Sequence, residues 1–146
     1  MDTLQMAGHL IRRLHQQSTA VFVQRTQQAG FDLTPVQFAA LDAIHTHPGS
    51  DQARVAELIG YDRATIGGVI DRLDKKGWVR RVVSERDRRA RELSLTPEGA
   101  SVRTALLPTV RALQQDILPG LSAPERQQFL TLAGRALALG DAGQRP

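Results

Sequence analysis

The chain has 146 residues, a net charge of +4 and a hydrophobic fraction of 41%, a size and balance that fit one globular core and exclude a fibrous or low-complexity protein. It has no cysteine, which excludes disulfides, thiolate nucleophiles, iron-sulfur clusters and thiol redox sensing. No apolar run reaches the roughly 18 residues of a membrane span, and an N-terminus interrupted by His9, Arg12 and Arg13 is no signal peptide, so a cytoplasmic protein without a membrane partner is expected.

In chain order, Leu4, Ala7, Ile11, Leu14, Ser18 and Val21 keep a 3-4-3-4-3 spacing that predicts one amphipathic helix running to about Gln28. Thr34, Pro35 and Gln37 form a capping-box start with proline at the first helical position, opening a helix that buries Phe38, Leu41 and Ile44 and ends near Pro48 and Gly49. Asp51 to Ile59 reads as a third helix stopped by Gly60, and Asp62 as the cap of a fourth. The fourth is expected from Arg63 to about Lys76, with Ile66, Val69, Ile70 and Leu73 inward and Gly77 ending it. The period then changes to two. Val79 to Val83 and Ala90 to Leu95 read as a hairpin whose polar tip is Ser84 to Arg89. Thr96, Pro97 and Glu98 start a fifth helix, expected to kink or break at Pro108, and Ser122 with Glu125 caps a sixth, carrying Phe129, Leu132, Ala133, Ala136 and Leu139, with a tail expected to fray from Gly140.

Charge is concentrated on one stretch of this plan. Residues 72–91 hold nine Lys and Arg against three acids, a net +6 that leaves the other 126 residues at −2. Such an arginine-rich field suits duplex DNA, where each phosphate contact releases counterions; it equally suits a solvated basic face, and charge alone leaves the two level. The order of elements separates them. Two short helices joined at Gly60 and Tyr61 and followed by a hairpin make a winged helix-turn-helix, with the helix opened by Asp62 in the recognition position. The expected architecture is therefore mainly α, about six helices and a two-stranded β wing. Within a single domain over 1–146, residues 33–96 are the winged helix-turn-helix, and residues 1–30 and 97–140 are flanking helices whose unmatched apolar stripes predict a homodimer. Arg63 and Thr65 in the first turn are placed to read base edges, the wing-tip arginines to enter a minor groove, and Arg72, Lys75 and Lys76 to meet phosphates.

The sequence resembles the multiple-antibiotic-resistance-regulator (MarR) family of bacterial transcription factors. The resemblance is carried by Leu33-Thr34-Pro35-Val36-Gln37-Phe38, Asp62-Arg63-Ala64-Thr65, Asp71-Arg72-Leu73 before Gly77, Asp87-Arg88-Arg89, and Leu95-Thr96-Pro97-Glu98-Gly99. It implies a homodimer on a pseudo-palindromic operator, with repression relieved by a small molecule. It also implies that Asp87 orients the wing by pairing with a nearby arginine while Arg88 or Arg89 enters the minor groove. The candidate DNA-binding residues are thus Asp62, Arg63, Ala64, Thr65, Gly67, Gly68, Arg72, Arg86, Asp87, Arg88 and Arg89.

Gly67 and Gly68 depart from the polar pair common in relatives, and each costs roughly 1 kcal/mol of helix propensity against alanine. Either the bare surface lets the helix sit deep in a groove and hands specificity to Arg63, Ala64 and Thr65, or small residues let the helix pack closely on its neighbours. The two accounts stand equal at this stage.

No acid occurs between Asp2 and Asp32, so the cations of the first helix lack intrahelical partners. His9, Arg13 and Gln16 share a face, where Arg13 could grip a carboxylate by paired hydrogen bonds with Phe38 as an aromatic wall and Asp42 close by. Solvent or an acidic partner such as Asp42 would satisfy the same cations. With the family resemblance, the expected effector is an aromatic or heteroaromatic carboxylate of benzoate or nicotinate type, or its thioester. His45 and His47 near Asp42 and Asp51 have poor spacing for a metal and suit a helix C-terminus without one; no metal or cofactor is expected. No phosphate loop, nucleophile elbow or metalloprotease helix is present, so an enzyme is not expected. A ligand-independent architectural or RNA-binding protein is the rival, although six scattered aromatics do not suggest base stacking.

Overall fold

The computed structural model describes residues 2–143, with the side chains of Leu139 and beyond outside the described set. Helix α1 spans Ala7–Gln28, α2 Pro35–Thr46, α3 Gln52–Ile59 and α4 Ile66–Lys75. Strands β1 (Val79–Val83) and β2 (Arg91–Leu95) follow, then α5 (Pro97–Ile117) and α6 (Ala123–Gly143). The strands pair antiparallel with Val79 opposite Leu95, Arg81 opposite Leu93 and Val83 opposite Arg91. The chain divides into two compact units, Met1–Leu113 and Gln114–Pro146.

In the first unit, helices α2, α3 and α4 pack around Leu41, Ile44, Val55, Ile66, Ile70 and Leu73, with Val79 and Leu93 of the hairpin and Val102 and Leu106 of α5 also buried. The sequence sets this up locally. Thr34 Oγ1 accepts from the Gln37 backbone N–H at 3.1 Å while Gln37 Oε1 accepts from the Thr34 N–H at 3.1 Å, the expected capping box. Asp51 accepts from the Arg54 N–H at 2.8 Å to cap α3. Gly60 (φ 67°) and Gly77 (φ 77°) end α3 and α4 in the left-handed region, which glycine enters without a Cβ clash.

Several expectations need correction. Leu4 is not on α1: Asp2 accepts the Leu4 N–H at 3.0 Å, closing a separate 3-10 turn over Thr3–Gln5, and Met6 is extended before α1 begins. Helix α4 begins at Ile66 rather than Arg63. Asp62 folds back to accept the Ala64 N–H at 3.2 Å and the Thr65 hydroxyl at 3.4 Å, a side-chain turn that competes with helix over these residues. Helix α5 is not broken at Pro108; Pro108 and Thr104, whose carbonyl loses its partner, are both exposed to water. Strand β1 forms over Val79–Val83 as expected, with Val79 buried and Val83 47% exposed where the hairpin leaves the core. Helix α6 continues to Gly143, past the Gly140 where fraying was expected.

In the second unit, the Ser122 N–H donates to Glu125 Oε1 at 2.8 Å and the Glu125 N–H donates to Ser122 Oγ at 3.3 Å, the second capping box. The Ser122 backbone N–H holds the Glu125 carboxyl below its ordinary range, helped by the Ser122 side chain.

The hairpin is tied to the start of α5 by its backbone. The Thr96 N–H donates to the Trp78 carbonyl at 3.0 Å, the Thr96 hydroxyl donates to the Gly77 carbonyl, and the Gly99 N–H donates to Thr96 Oγ1 at 3.0 Å. This brings α5 so close to Trp78 that a Cβ on Gly99 would lie 2.0 Å from the Trp78 carbonyl oxygen. Gly99→Ala is therefore expected to destabilise the chain by about 2 kcal/mol despite the better helix propensity of alanine. Gly134→Ala on α6, with nothing within 4 Å, should leave stability equal or higher; urea unfolding of the two variants checks the contrast.

Candidate nucleic-acid interface

Burial of Ile66, Val69, Ile70 and Leu73 fixes how α4 is turned about its axis. Each contributes about 2 kcal/mol on burial, more than offsetting the roughly 1 kcal/mol propensity cost of each of Gly67 and Gly68. The remaining surface divides into two rows at helical spacing. Thr65, Gly68, Arg72 and Lys75 form one exposed row, basic and bare. Gly67, Asp71 and Asp74 form the other, on the flank that Arg81 of β1 reaches.

Asp62, Arg63, Ala64 and Thr65 make an exposed turn ahead of α4 rather than its first helical turn. The Thr65 and Ile66 N–H groups both donate to the Asp62 carbonyl, at 3.2 and 3.0 Å, so the side chains of Arg63 and Thr65 project from a turn pinned at one residue. Gly68 is open: an added Cβ would meet nothing nearer than the Arg72 guanidinium at 4.0 Å. At Gly67 a Cβ would sit 3.6 Å from Gln52 Nε2, ordinary contact for alanine but in the path of anything longer. Close packing within the chain therefore accounts for a small residue at Gly67 and does not account for glycine at Gly68.

The wing tip is organised by Ser84. Its hydroxyl donates to Glu92 Oε1 at 2.9 Å and accepts the Arg86 and Asp87 N–H groups at 3.2 and 3.3 Å. Asp87 accepts the Arg89 backbone N–H at 2.9 Å, so its carboxylate shapes the turn. It forms no ion pair with an arginine among the described residues, which corrects the pairing implied by the family resemblance; a carboxylate two residues before an N–H closes a side-chain turn more readily than it holds a long, solvated guanidinium. Arg86, Arg88 and Arg89 are left exposed.

Two cations of the basic window are tied into the fold. Lys76 has a structural part that the sequence did not show: its Nζ donates to the Asp32 carbonyl and lies 4.7 Å from the centre of the Trp78 ring, tying the end of α4 to the loop before α2. Arg81, counted in the basic window but given no role by the sequence, is the hub of the interface. Its Nε and Nη2 donate to Gln52 Oε1 at 3.1 and 2.8 Å, Nη2 also reaches Asp71 at 2.5 Å, and Nη1 reaches Asp74 at 3.3 Å. Its side chain is 27% exposed against 66% and 51% for the two acids. The spacing of Asp71 and Asp74 was the available signal, because two acids on one flank of a basic element need a cation from another element.

The candidate effector residues fall in two groups. His9, Arg13 and Gln16 share the N-terminal half of α1, where nothing is buried; His9 Nδ1 lies 3.2 Å from Arg12 Nη2, and the Arg13 guanidinium has no ion pair among the described residues. Phe38 is buried, its ring 6.3 Å from that of Phe22. Asp42 holds Arg103 of α5 at 2.8 Å. No hydrogen bond or ion pair among the described residues joins the two groups. His47 Nδ1 is 3.0 Å from the Thr46 hydroxyl and His45 is exposed; among the described residues no three His, Asp or Glu are grouped to hold a metal.

The helix, turn, helix and hairpin define a winged helix-turn-helix protein. Comparison with known proteins carries this further. The MarR family profile matches residues 31–90. The chain is 34% identical over 131 residues to the HTH-type transcriptional repressor NicR of Pseudomonas putida, covering 90% of this chain and 82% of that one. It superposes with a TM-score of 0.84 at 28% identity on BpsR of Bordetella bronchiseptica, covering 93% and 96% of the two chains, in a structure describing regulation of DNA binding by 6-hydroxynicotinic acid. It also superposes with a TM-score of 0.82 at 33% identity on the transcriptional regulator PcaV of Streptomyces coelicolor in complex with its natural ligand, covering 99% and 98%. The chain belongs to the MarR family of transcriptional regulators, a family of regulators rather than enzymes. No described helix is long and apolar enough to cross a membrane.

The open surface at Gly68 has a measurable consequence. Gly68→Ala is expected to raise folding stability by about 1 kcal/mol; if this bare row meets a groove, the added methyl should also weaken duplex binding. Thermal unfolding and fluorescence anisotropy on the same samples check the opposed signs; a stabilised variant with unchanged affinity would show that this row does not approach DNA closely.

Proposed function

We propose that this chain is a homodimeric repressor that binds a pseudo-palindromic operator in duplex DNA and is released by a small aromatic or heteroaromatic carboxylate or its thioester. The observation that carries the reading is the segregation of charge on α4, with the row Thr65, Gly68, Arg72 and Lys75 exposed, together with a wing tip whose Arg86, Arg88 and Arg89 are exposed. Asp62 and Asp87 shape the two turns that present these side chains, and Arg63, Ala64 and Thr65 supply contacts to base edges.

Residues 33–96 do the binding, and the helices over 1–30 and 97–140 do the pairing. Leu10 and Ile11 are 47% and 64% exposed on α1, and Leu130, Leu132 and Leu137 are 59%, 59% and 74% exposed on α6, apolar area that a second copy would cover. Two copies then present two recognition helices to successive grooves.

For the effector, the α1 row of His9, Arg13 and Gln16 supplies the polar contacts, with Arg13 taking the carboxylate by a two-pronged hydrogen bond. Phe38 gives an apolar wall from the core side, and Asp42 keeps Arg103 in place. The nicotinate-type acid is favoured because BpsR is regulated by 6-hydroxynicotinic acid.

Two experiments test the reading. Replacing Arg88 and Arg89 together by alanine should weaken binding to a duplex selected by the wild-type chain and lower the slope of log K against log salt by about four, two residues in each of two protomers; an unchanged slope would remove both residues from the phosphate and groove contacts. Arg13→Ala should bind the same duplex as tightly as wild type and lose the release caused by 6-hydroxynicotinate or benzoate. A full response to the acid in that variant would sink the carboxylate clamp.

A further inference from the structure

The charge pattern on α4 poses a problem for any polyanion partner. The helix that carries Arg72 and Lys75 also carries Asp71 and Asp74, whose side chains are 66% and 51% exposed. A carboxylate pair beside the contact row would repel phosphates, and like charges opposed at an interface cost affinity steeply.

We infer that Arg81 is a positioning residue for DNA binding that acts in two ways at once, masking the acidic row of the recognition helix and bracing the wing against α3 and α4. This rests on the duplex-binding reading above and deepens it. The mask follows from geometry. One guanidinium spans both carboxylates, at 2.5 and 3.3 Å, and its fork lies against the flank of α4 occupied by Gly67, Asp71 and Asp74. Its own charge is spent on that pair, and at 27% exposure it is the least accessible member of the cluster.

The brace comes from Gln52, whose Oε1 takes two donors from the same guanidinium. A residue in the first turn of α3, two acids on α4 and a cation on β1 are thereby joined through one planar group, a task for which the five fixed donors of arginine suit it and the point charge of lysine does not. Gly67 belongs to the same arrangement, because the space an added Cβ would enter is bounded by the Gln52 amide at 3.6 Å. A larger side chain there would push Gln52 off Arg81. The wing holds a second tie, from the Leu93 N–H to the Ser50 carbonyl at 2.8 Å, so loss of Arg81 alters the angle of the hairpin without releasing it.

The test is a charge-restoration series on the full-length chain, read by anisotropy with a fluorescein-labelled duplex selected by the wild-type chain from a random pool, and with circular dichroism as the check on folding. Arg81→Gln is expected to lose about tenfold in affinity or more, the loss shrinking as salt rises because the uncovered carboxylates are exposed and screened. Adding Asp71→Asn and Asp74→Asn to that variant should recover most of the loss. Adding Asp2→Asn and Glu125→Gln, the same change in net charge placed ahead of α1 and on α6, should recover little. Arg81→Lys, which keeps the charge and loses the fork, should fall between wild type and Arg81→Gln and provides the reading if Arg81→Gln is unfolded.

No recovery on adding Asp71→Asn and Asp74→Asn to a folded Arg81→Gln would make Arg81 itself a contact to the duplex and overturn the inference. Equal recovery by the two neutralised pairs would overturn the mask. Wild-type affinity in a folded Arg81→Gln would overturn mask and brace together while leaving the duplex-binding reading intact; failure of the wild-type chain to bind any duplex would overturn both.

Discussion

The rotation of α4 about its own axis is the constraint on which the surface of this protein depends. Four apolar side chains at spacings of three, one and three are buried against α2, α3 and the hairpin, and no other rotation hides them. Once that face is inward, the bare basic row and the acidic row are both committed to water. The glycine pair weakens the helix by an amount that this burial readily offsets, so α4 forms because it is packed and not because its sequence favours a helix in isolation.

Separating cations from anions on one short helix leaves an imbalance that another element has to correct. Arg81 does so from β1, and in doing so makes the wing and the recognition helix parts of one polar network. Lys76 plays a similar part at the other end of α4, bound to the Asp32 carbonyl and the face of Trp78. Of the nine cations in the basic stretch, these two are used to build the interface. Arg81 is thereby fixed in an ion-pair cluster, while Arg72, Lys75 and the arginines of the tip are exposed. Ser84 and Asp87 serve the tip in the same spirit, holding backbone N–H groups so that the guanidinium groups stay free.

The first unit shows the opposite tendency along α1. Only Phe22 and Thr26 of that helix are buried; Leu14, Val21 and Val23 are half-buried, and Leu10 and Ile11 are exposed. The same stretch carries cations without acidic neighbours. Exposed apolar residues beside His9 and Arg13 on the N-terminal half of one helix are what the dimer and effector readings have in common.

Much of this was legible from residue order. Caps are local events, so Thr34 with Gln37, Ser122 with Glu125, and the glycines after α3 and α4 could be read directly, and the change of period at Gly77 marked the hairpin. The same local logic misplaced the start of α4, because Asp62 can either cap a helix or close a turn, and only the packed position of Ile66 selects the turn. Legible too were the basic stretch and the winged helix-turn-helix, together with the family they belong to. What the amino-acid order could not decide was which cations face outward. Arg81 and Gln52 are 29 residues apart, Arg103 and Asp42 are 61 apart, and Lys76 and Asp32 are 44 apart. A charge has no periodicity that reveals a distant partner; its role depends on which elements the buried apolar faces bring together, and that is settled only when the chain is folded.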